Sequence, residues 1–269
     1  MSLDMQTRRD GSTSEDPDSG WWESVKIVLQ ALALAMVVRI FFYQPFNIPS
    51  GSMKDTLLVG DYLFVSKLSY GYSRYSFPFG ATLFKSPSFD GRKFASLPKR
   101  GDVAVFKLPR DNSTDYIKRV IGLPGDEVQM KNGVLFINRE AIPKKLVGTF
   151  DTFEDGRRVR NIPVYEETLP EGRKYRVLDA DKNGQLDNTE PFKVPAGNYF
   201  MMGDNRDNST DSRVRIEFGV GFVPLENFVG RADIIFFSGA FDEPQAFRLL
   251  SPWSWPFDIR WKRFFNLVR

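Results

Sequence analysis

Three short segments hold the side chains whose types and spacing are best suited to chemistry. Ser52 lies in the sequence PSGSM at 49–53, Lys118 lies in the middle of the β-type run at 115–120, and a dense polar loop covers 203–213. A serine hydroxyl becomes a nucleophile when a nearby base takes its proton, and a neutral lysine can be that base. Each segment also has an ordinary interpretation, namely a common turn, a solvated lysine on an edge strand and a solvated loop.

Composition narrows the choice of base. The 269 residues contain no His and no Cys. A Ser-His-Asp triad, a Cys-His pair, disulfides and the usual zinc or copper ligand sets are therefore excluded. A general base working near neutral pH must then be a carboxylate, a lysine or an amino terminus. The net charge of +3 is small and the basic residues are scattered, so we expect no nucleic-acid partner. We also expect no cofactor.

A lysine can act as this base only where its surroundings lower its pKa. An ordinary lysine titrates near ~10.4, and burial away from water can lower that value by about 3–5 pH units. Strand alternation places Tyr116 and Val120 on the same face as Lys118, with the odd-numbered residues of 117–121 on the opposite face. Together with Met53, next to the candidate nucleophile, these side chains can cover the amine with apolar surface.

The amino-terminal region carries the signal for membrane attachment. Residues 1–20 are polar and predict a disordered tail, whereas 21–43 predict one transmembrane helix. The positive charges on the two sides of this helix weakly favour a cytoplasmic tail. The uninterrupted apolar run, 27–38, is 12 residues long and by itself favours a buried core helix. Aromatic pairs at both ends, with Lys26 and Arg39 near them, favour a span of roughly 34 Å. A core or interfacial helix is the alternative; a cleaved signal peptide fits less well because the run exits into bulky aromatic residues.

After this helix the chain consists of short β-type runs separated by turns, which predicts an all-β body. The clearest runs are 62–66, 103–108, 116–122, 127–130, 134–137, 199–202 and 234–238. The Asn-Gly pair at 132–133 is typical of a hairpin turn. We predict a catalytic β core at 44–143 and 194–245, and an inserted β-rich subdomain with weaker strands at 144–193. The aromatic and basic segment at 246–269 fits either a surface that touches lipid headgroups or a segment that caps the body.

Taken together, the three segments resemble the conserved boxes of bacterial type I signal peptidases. The similarity covers, in order, residues 45–71, 101–107, 115–128 and 198–213, with IPSGSM at 48–53, YIKR at 116–119 and GDNRDNS at 203–209. This family often has Pro two positions after the Met, where the present chain has Asp55, and the change affects the turn rather than the chemistry. The resemblance implies a signal-peptidase-like β fold with one N-terminal transmembrane helix.

The resemblance also implies roles for individual residues. Ser52 would be the nucleophile and Lys118 the general base of this Ser–Lys dyad. Ser209 would hydrogen-bond and orient the lysine, and the Ser52 N–H with the Ser50 hydroxyl would form the oxyanion hole. The supporting polar network of the family corresponds to Asp204, Asp211 and Arg213.

The implied substrates are signal peptides of exported preproteins, with small residues at positions −1 and −3 from the cut (Ala-X-Ala type). The implied location is the bacterial inner membrane, with a single span, the lipid bilayer as a second partner and the catalytic body on the outer, periplasmic face. An extended substrate would add as a strand beside 46–50 and 115–118. The apolar pockets for its side chains would be lined by Phe46, Ile48, Pro49, Met53 and Ile117.

Residues 179–190 form a second motif, because they match the EF-hand calcium loop at every ligand position. Those positions are Asp179, Asp181, Asn183, Gln185, Asp187 and Glu190. A complete EF-hand is not expected, since Pro191 and Pro195 bar a following helix. Two interpretations stay open: an isolated calcium loop with a structural role, and an acidic turn between two strands.

Two other functions compete with preprotein cleavage. One is a related Ser–Lys self-cleaving repressor or maturation peptidase, although a repressor would need a DNA-reading helical domain and the sequence shows none. The other is a non-catalytic, calcium-dependent β-rich binding module tethered to the membrane. Replacing Ser52 or Lys118 by Ala separates these functions. Loss of preprotein cleavage with intact folding supports the signal-peptide-cleaving enzyme, whereas unchanged function that is lost when calcium is chelated supports the binding module.

Overall fold

The computed structural model of the chain describes residues 17–77, 92–154, 156–181, 183–243, 246 and 252–269. Helix α1 spans Pro17–Phe41. Within the described residues, its segment Trp21–Phe41 is the one helix long and apolar enough to cross a membrane, and none of that segment is buried. Its 21 residues extend about 32 Å, which matches the hydrocarbon thickness of a bilayer.

The ends of α1 differ from the predicted ones. Residues 17–20 were predicted to belong to the disordered tail and are helical, while the rest of that tail, 1–16, lies outside the described residues. The helix was predicted to continue to Tyr43, but it ends at Phe41 and Tyr43 begins the first strand. Sheet pairing explains this end, because Tyr43 is paired with Ser66 of the neighbouring strand.

Strands dominate the rest of the described chain and confirm the all-β prediction. They are β1 (Tyr43–Asn47), β2 (Asp61–Ser66), β3 (Val103–Lys107), β4 (Asp115–Gly122), β5 (Glu127–Lys131), β6 (Val134–Ile137), β7 (Glu140–Ala141), β8 (Lys144–Glu154), β9 (Arg157–Thr168), β10 (Lys174–Leu178), β11 (Phe192–Lys193), β12 (Asn198–Met202), β13 (Val223–Pro224) and β14 (Phe228–Ser238). Short 3-10 helices occur at Gly51–Met53, Arg74–Ser76, Leu225–Asn227, Pro252–Ser254 and Trp261–Arg263, and α2 spans Trp255–Asp258.

These strands form three antiparallel sheets. The largest has seven strands in the order β1-β2-β14-β3-β4-β12-β13, a second has the order β11-β5-β6-β7, and a third has the order β10-β9-β8. The predicted hairpin at 132–133 is confirmed: Asn132 and Gly133 both have positive φ, 49° and 71°, and connect β5 to β6. Two positive φ values are what a two-residue hairpin turn needs.

Two of the strands in the segment predicted to have weak strands are long. β8 has 11 residues and β9 has 12, and they pair along most of their length. Their buried side chains, which include Ile162 and Val164, form a small core of their own together with Leu178 of β10. The exposed positions of this sheet mix charged residues such as Arg158, Arg160 and Arg176 with apolar ones such as Leu146 and Val147, so the sequence does not alternate cleanly between apolar and polar residues.

The core is organised around β4, whose side chains alternate as predicted. Tyr116 and Val120 pack in one apolar cluster, and Ile117 packs in another on the opposite face. Lys118 shares the first face and is only 3% exposed. The sheet therefore removes the amine of Lys118 from water while the middle of a well-packed strand holds it in place.

The end of the chain packs along the seven-stranded sheet. Phe265 donates its N–H to Ile235 of β14 at 2.7 Å, and Val268 packs against the core cluster beneath that sheet. This supports the capping interpretation for the final residues. Trp253 and Phe257 nevertheless remain 73% and 88% exposed, so the segment also presents a large aromatic surface.

Candidate active site

Ser52 is held at the first turn of chain that follows β1. It lies in the 3-10 helix Gly51–Met53, whose next side chain, Met53, is fully buried in the core and anchors the turn. Asn205 fixes the backbone from the other side, since its N–H donates to Ser52 O at 3.1 Å and its amide nitrogen donates to Gly51 O at 3.0 Å. The hydroxyl is therefore positioned by backbone contacts on both sides.

Lys118 reaches this hydroxyl from β4. Its Nζ lies 2.6 Å from Ser52 Oγ, and it also donates to Ile117 O at 3.1 Å. Burial lowers the pKa of Lys118 to about 8, while the nearby carboxylates of Asp211 and Asp204 limit the decrease. A substantial fraction of the amine is thus neutral just above neutral pH and able to accept the serine proton.

The two other serines of the predicted site occupy different positions. Ser50 Oγ lies 3.4 Å from Ser52 Oγ, on the same side of the turn. Ser209 was expected to hydrogen-bond Lys118, but its buried Oγ makes no hydrogen bond to that amine among the described residues, and it lies close enough to Asp211 to help lower the pKa of that carboxyl. Instead, it packs over Gly203, where the absence of a side chain leaves room for it. Ser209 still lines the same cleft as Lys118.

The predicted polar network consists of two buried ion pairs. Arg213 contacts both oxygens of Asp211, each at 2.9 Å, and Asp211 accepts the Gly203 N–H at 2.9 Å. Burial alone would raise the pKa of Asp211, but Arg213 holds it below its usual value. Asp204 pairs with Arg119, which donates to its two oxygens at 2.8 and 2.6 Å. Alternation placed Arg119 opposite Lys118, yet no sequence signal identified Asp204 as its partner.

A third buried ion pair, between Arg206 and Glu167, was not predicted from the sequence. Arg206 donates to Glu167 at 2.7 and 2.5 Å, and Tyr175 donates to the same carboxylate. Glu167 and Tyr175 belong to β9 and β10, within the predicted insert. The insert also contacts the turn after Ser52, through a 3.0 Å ion pair between Arg176 and Asp55. The loop that supports the site is therefore tied to the third sheet.

A cleft of about 620 Å³ opens over Ser52 and Lys118. Four of the five predicted pocket residues line it: Phe46, Ile48, Pro49 and Ile117. Met53 does not, because its side chain is buried in the core, and the prediction for this residue is wrong. Gln185 and Leu186 of the insert line the cleft and were not predicted as pocket residues.

The cleft lies along unpaired strand edges. Within the described residues, β1 pairs only with β2. On β4, residues 115–118 pair with β3 on one side, while β12 reaches no further than Arg119 on the other. Free N–H and C=O groups on both walls can receive an extended peptide as an added strand.

The predicted calcium loop is only partly assembled. Carboxylate oxygens of Asp179 and Asp187 lie within 4.8 Å of each other and of a third carboxylate, Asp207. Asp181 instead accepts the Asn183 N–H at 3.0 Å. The other predicted ligands are not part of this acidic group, and Gln185 lines the cleft.

A buried hydroxyl in contact with a buried amine, beside open strand edges, can attack a peptide carbonyl, which is the chemistry of serine peptidases. Comparison with known proteins agrees with this class. The family model described as "Signal peptidase, peptidase S26" matches residues 21–237, and the chain belongs to this family. The predicted family and the predicted enzyme class, a serine peptidase, are confirmed.

Similar curated proteins are signal peptidases I of rickettsiae. That of Rickettsia canadensis is 42% identical over 247 residues, which cover 88% of this chain and 85% of the relative. That of Rickettsia typhi is 46% identical over 213 residues, 77% of this chain and 76% of the relative. Among solved structures, a signal peptidase I from Enterococcus faecalis is 26% identical, covering 51% of this chain and 97% of that one, with a TM-score of 0.29.

Gly203 offers a test of how tightly the site is packed. A β-carbon at this position would lie 2.2 Å from Ser209 Oγ and 2.6 Å from Ser52 O, so the loop must move away from the nucleophile in Gly203→Ala. We expect kcat/KM for preprotein cleavage to fall about 10²-fold, the usual cost of a displacement near 1 Å. Gly148→Ala is the matched control, because its β-carbon meets no described atom within 4 Å. Similar rates for the two variants would contradict the packing described here.

Proposed function

We propose that this chain is a membrane-anchored endopeptidase that removes N-terminal signal peptides from exported preproteins, cutting after small residues of the Ala-X-Ala type. The observation that carries the proposal is the 2.6 Å contact between Lys118 Nζ and Ser52 Oγ, with both residues buried. Family membership supports signal-peptide cleavage, and the helix Trp21–Phe41 fits a membrane anchor.

In the proposed mechanism, neutral Lys118 accepts the proton of Ser52 as Oγ attacks the scissile carbonyl. The resulting ammonium then protonates the leaving amine, which departs as the amino terminus of the mature protein, and the signal peptide remains as an ester on Oγ. Lys118, neutral again, takes a proton from the water that attacks this ester. Protonation of Oγ by the same amine releases the signal peptide and restores the enzyme.

The oxyanion of each tetrahedral intermediate needs donors beside Ser52. The Ser52 N–H lies in the first turn of a 3-10 helix, where backbone donors have no partner within the helix. The Ser50 hydroxyl, 3.4 Å from Ser52 Oγ, is the proposed second donor. Removing one such donor usually costs about 10²–10³ in rate.

Specificity for small residues follows from where the substrate strand would lie. Side chains of an added strand alternate, so those at −1 and −3 would face the same wall of the cleft. Phe46, Ile48 and Ile117 make this wall apolar. Alanine fits beside them, whereas a large side chain would push the scissile carbonyl away from Ser52.

The proposed location is the bacterial inner membrane, with the catalytic body on the periplasmic face, where exported preproteins emerge. The anchor would then leave the short N-terminal tail inside. Protease added to spheroplasts should digest residues 44–269. Digestion from the cytoplasmic side alone would contradict this orientation.

A preprotein series tests the proposed specificity. The full chain in detergent should cut a preprotein with Ala at −1 and −3. With Leu at −1, kcat/KM should fall by about 10-fold or more, since one extra methylene group in an apolar pocket already costs about 10–200-fold. Mass spectrometry of the mature amino terminus identifies the bond that is cut. Ser52→Ala is the control for contaminating proteases. Equal cleavage of the Ala and Leu substrates, or cleavage by the control, would contradict the proposal.

A further inference from the structure

A group of three carboxylates lies beside the catalytic cleft and outside the mechanism described above. Asp179 and Asp187 come from the loop between β10 and β11, and Asp207 comes from the loop that carries Ser209. One oxygen of each lies within 4.8 Å of the other two. Carboxylate oxygens in this arrangement are the ligands that calcium prefers.

One carboxylate oxygen of the cluster is buried with no hydrogen-bond partner among the described residues. Asp179 is 8% exposed, and its Oδ1 is buried with no hydrogen-bond partner in the described part of the chain, while its Oδ2 accepts from Lys144. A buried, unpartnered carboxylate oxygen is costly, because it loses water and gains nothing in return. A bound cation would satisfy it.

The charge of the cluster points to a divalent ion. Asp187 is 1% exposed and accepts the Gly184 N–H at 2.8 Å, and Asp207 accepts the N–H groups of Ala180 and Asp181. These neutral donors leave three negative charges, against the one ammonium of Lys144 that contacts the cluster within the described residues.

We propose that Asp179, Asp187 and Asp207 bind a hard divalent cation, with Ca²⁺ favoured over Mg²⁺. The site differs from an EF-hand loop, since the expected bidentate ligand at position 12, Glu190, is exposed and lies outside the cluster. With three carboxylates, one of them shared with Lys144, we expect a Kd of about 10⁻⁴–10⁻³ M, the range of extracellular calcium modules.

This cation would connect the insert to the active site. Asp207 is two residues from Ser209, and Gln185 and Leu186, within the same loop as Asp187, line the catalytic cleft. Leu178, next to Asp179, pairs with Asn205, whose side chain and N–H hold the turn of Ser52. Binding would therefore fix one wall of the cleft, and its main effect on cleavage should be a lower KM rather than a higher kcat.

Calorimetry on the full chain in detergent, first stripped with EGTA, tests the site directly. Titration with CaCl₂ should give saturable binding, and about 10 mM CaCl₂, roughly tenfold above the weakest expected Kd of ~10⁻³ M, should raise Tm. Absence of both effects in the wild-type chain would overturn the proposal without any variant. Neither measurement requires catalysis, so failure of the proposed function would not obscure the result.

Variants identify the ligands. Asp187→Asn and Asp207→Asn should each weaken calcium binding about tenfold or more, because each removes a charged ligand. Glu190→Gln is the matched control and should bind calcium as the wild type does. Equal losses in Glu190→Gln and Asp187→Asn would overturn the ligand set in favour of a rearranged EF-hand loop. Unchanged affinity in both Asn variants would overturn the site itself.

Discussion

Lys118→Met should abolish cleavage and at the same time stabilise the folded enzyme at neutral pH. Loss of the base should lower kcat/KM roughly 10⁴-fold or more, since no other described side chain contacts Ser52 Oγ as a base. The gain in stability has a separate origin: Met keeps the apolar length of the side chain and removes a buried ionisable group. Preprotein cleavage and denaturant unfolding, measured on the same preparation, check both effects.

The sign and size of the stability effect follow from the pKa of Lys118. Burial lowers that pKa to about 8 from 10.5, so the unfolded chain binds the proton more tightly than the native state. The difference destabilises the wild type by about 3 kcal/mol below pH 8, and it disappears as the pH rises from 8 towards 10.5. Loss of the hydrogen bonds to Ser52 and Ile117 offsets part of this gain. We expect Lys118→Met to be more stable by about 1–2 kcal/mol at pH 7 and to lose that advantage near pH 10.

Ser52→Ala is the control for this experiment. It should also be inactive, but it retains the buried amine and should not show the pH-dependent gain. A Met variant less stable than the wild type at pH 7 would contradict the energetic cost assigned to Lys118.

For the wild type, kcat/KM should rise about tenfold per pH unit below pH 8 and level off above it, because only the neutral amine is a base.

Among the variants whose stability is predicted here, Glu167→Gln should lose the most. Glu167 and Arg206 are 0% and 1% exposed, and their two contacts, at 2.7 and 2.5 Å, leave neither charge in water. Replacing the carboxylate leaves the Arg206 charge buried and uncompensated, which usually costs about 3–5 kcal/mol. Denaturant unfolding measures this directly, and cleavage should fall as well, since Arg206 is three residues from Ser209.

The residue before Glu167 supplies a matched control for this variant. Glu166 pairs with Lys174 at 3.0 Å, but the two side chains are 32% and 61% exposed. An exposed pair contributes about 0–1 kcal/mol, so Glu166→Gln should have little effect. Replacing both Glu167 and Arg206 by Leu should recover part of the stability lost in Glu167→Gln, because neither charge of this pair is then buried, although the Tyr175 hydroxyl loses its acceptor. Equal losses from the two Gln variants would contradict the role assigned to the buried pair.

The sequence by itself determined the kind of chemistry and most of the sheet. Absence of His and Cys restricted the base to a few groups, and the alternation of β4 placed Tyr116 and Val120 beside Lys118. The turn at 132–133 was also predictable, because the residues that tolerate positive φ are few. These features depend on residue type and on neighbours a few positions away.

Only the tertiary structure decided which distant groups meet. Arg119 and Asp204 are separated by 85 positions, and Arg206 and Glu167 by 39, so no local periodicity could pair them. For the same reason the sequence did not predict that Asp207 belongs to the acidic cluster, although Asp179 and Asp187 lie in the recognisable calcium-loop motif. Tertiary packing also decided that the Met53 side chain is buried in the core and that Ser209 packs against Gly203. Both orientations depend on the space that neighbouring elements leave.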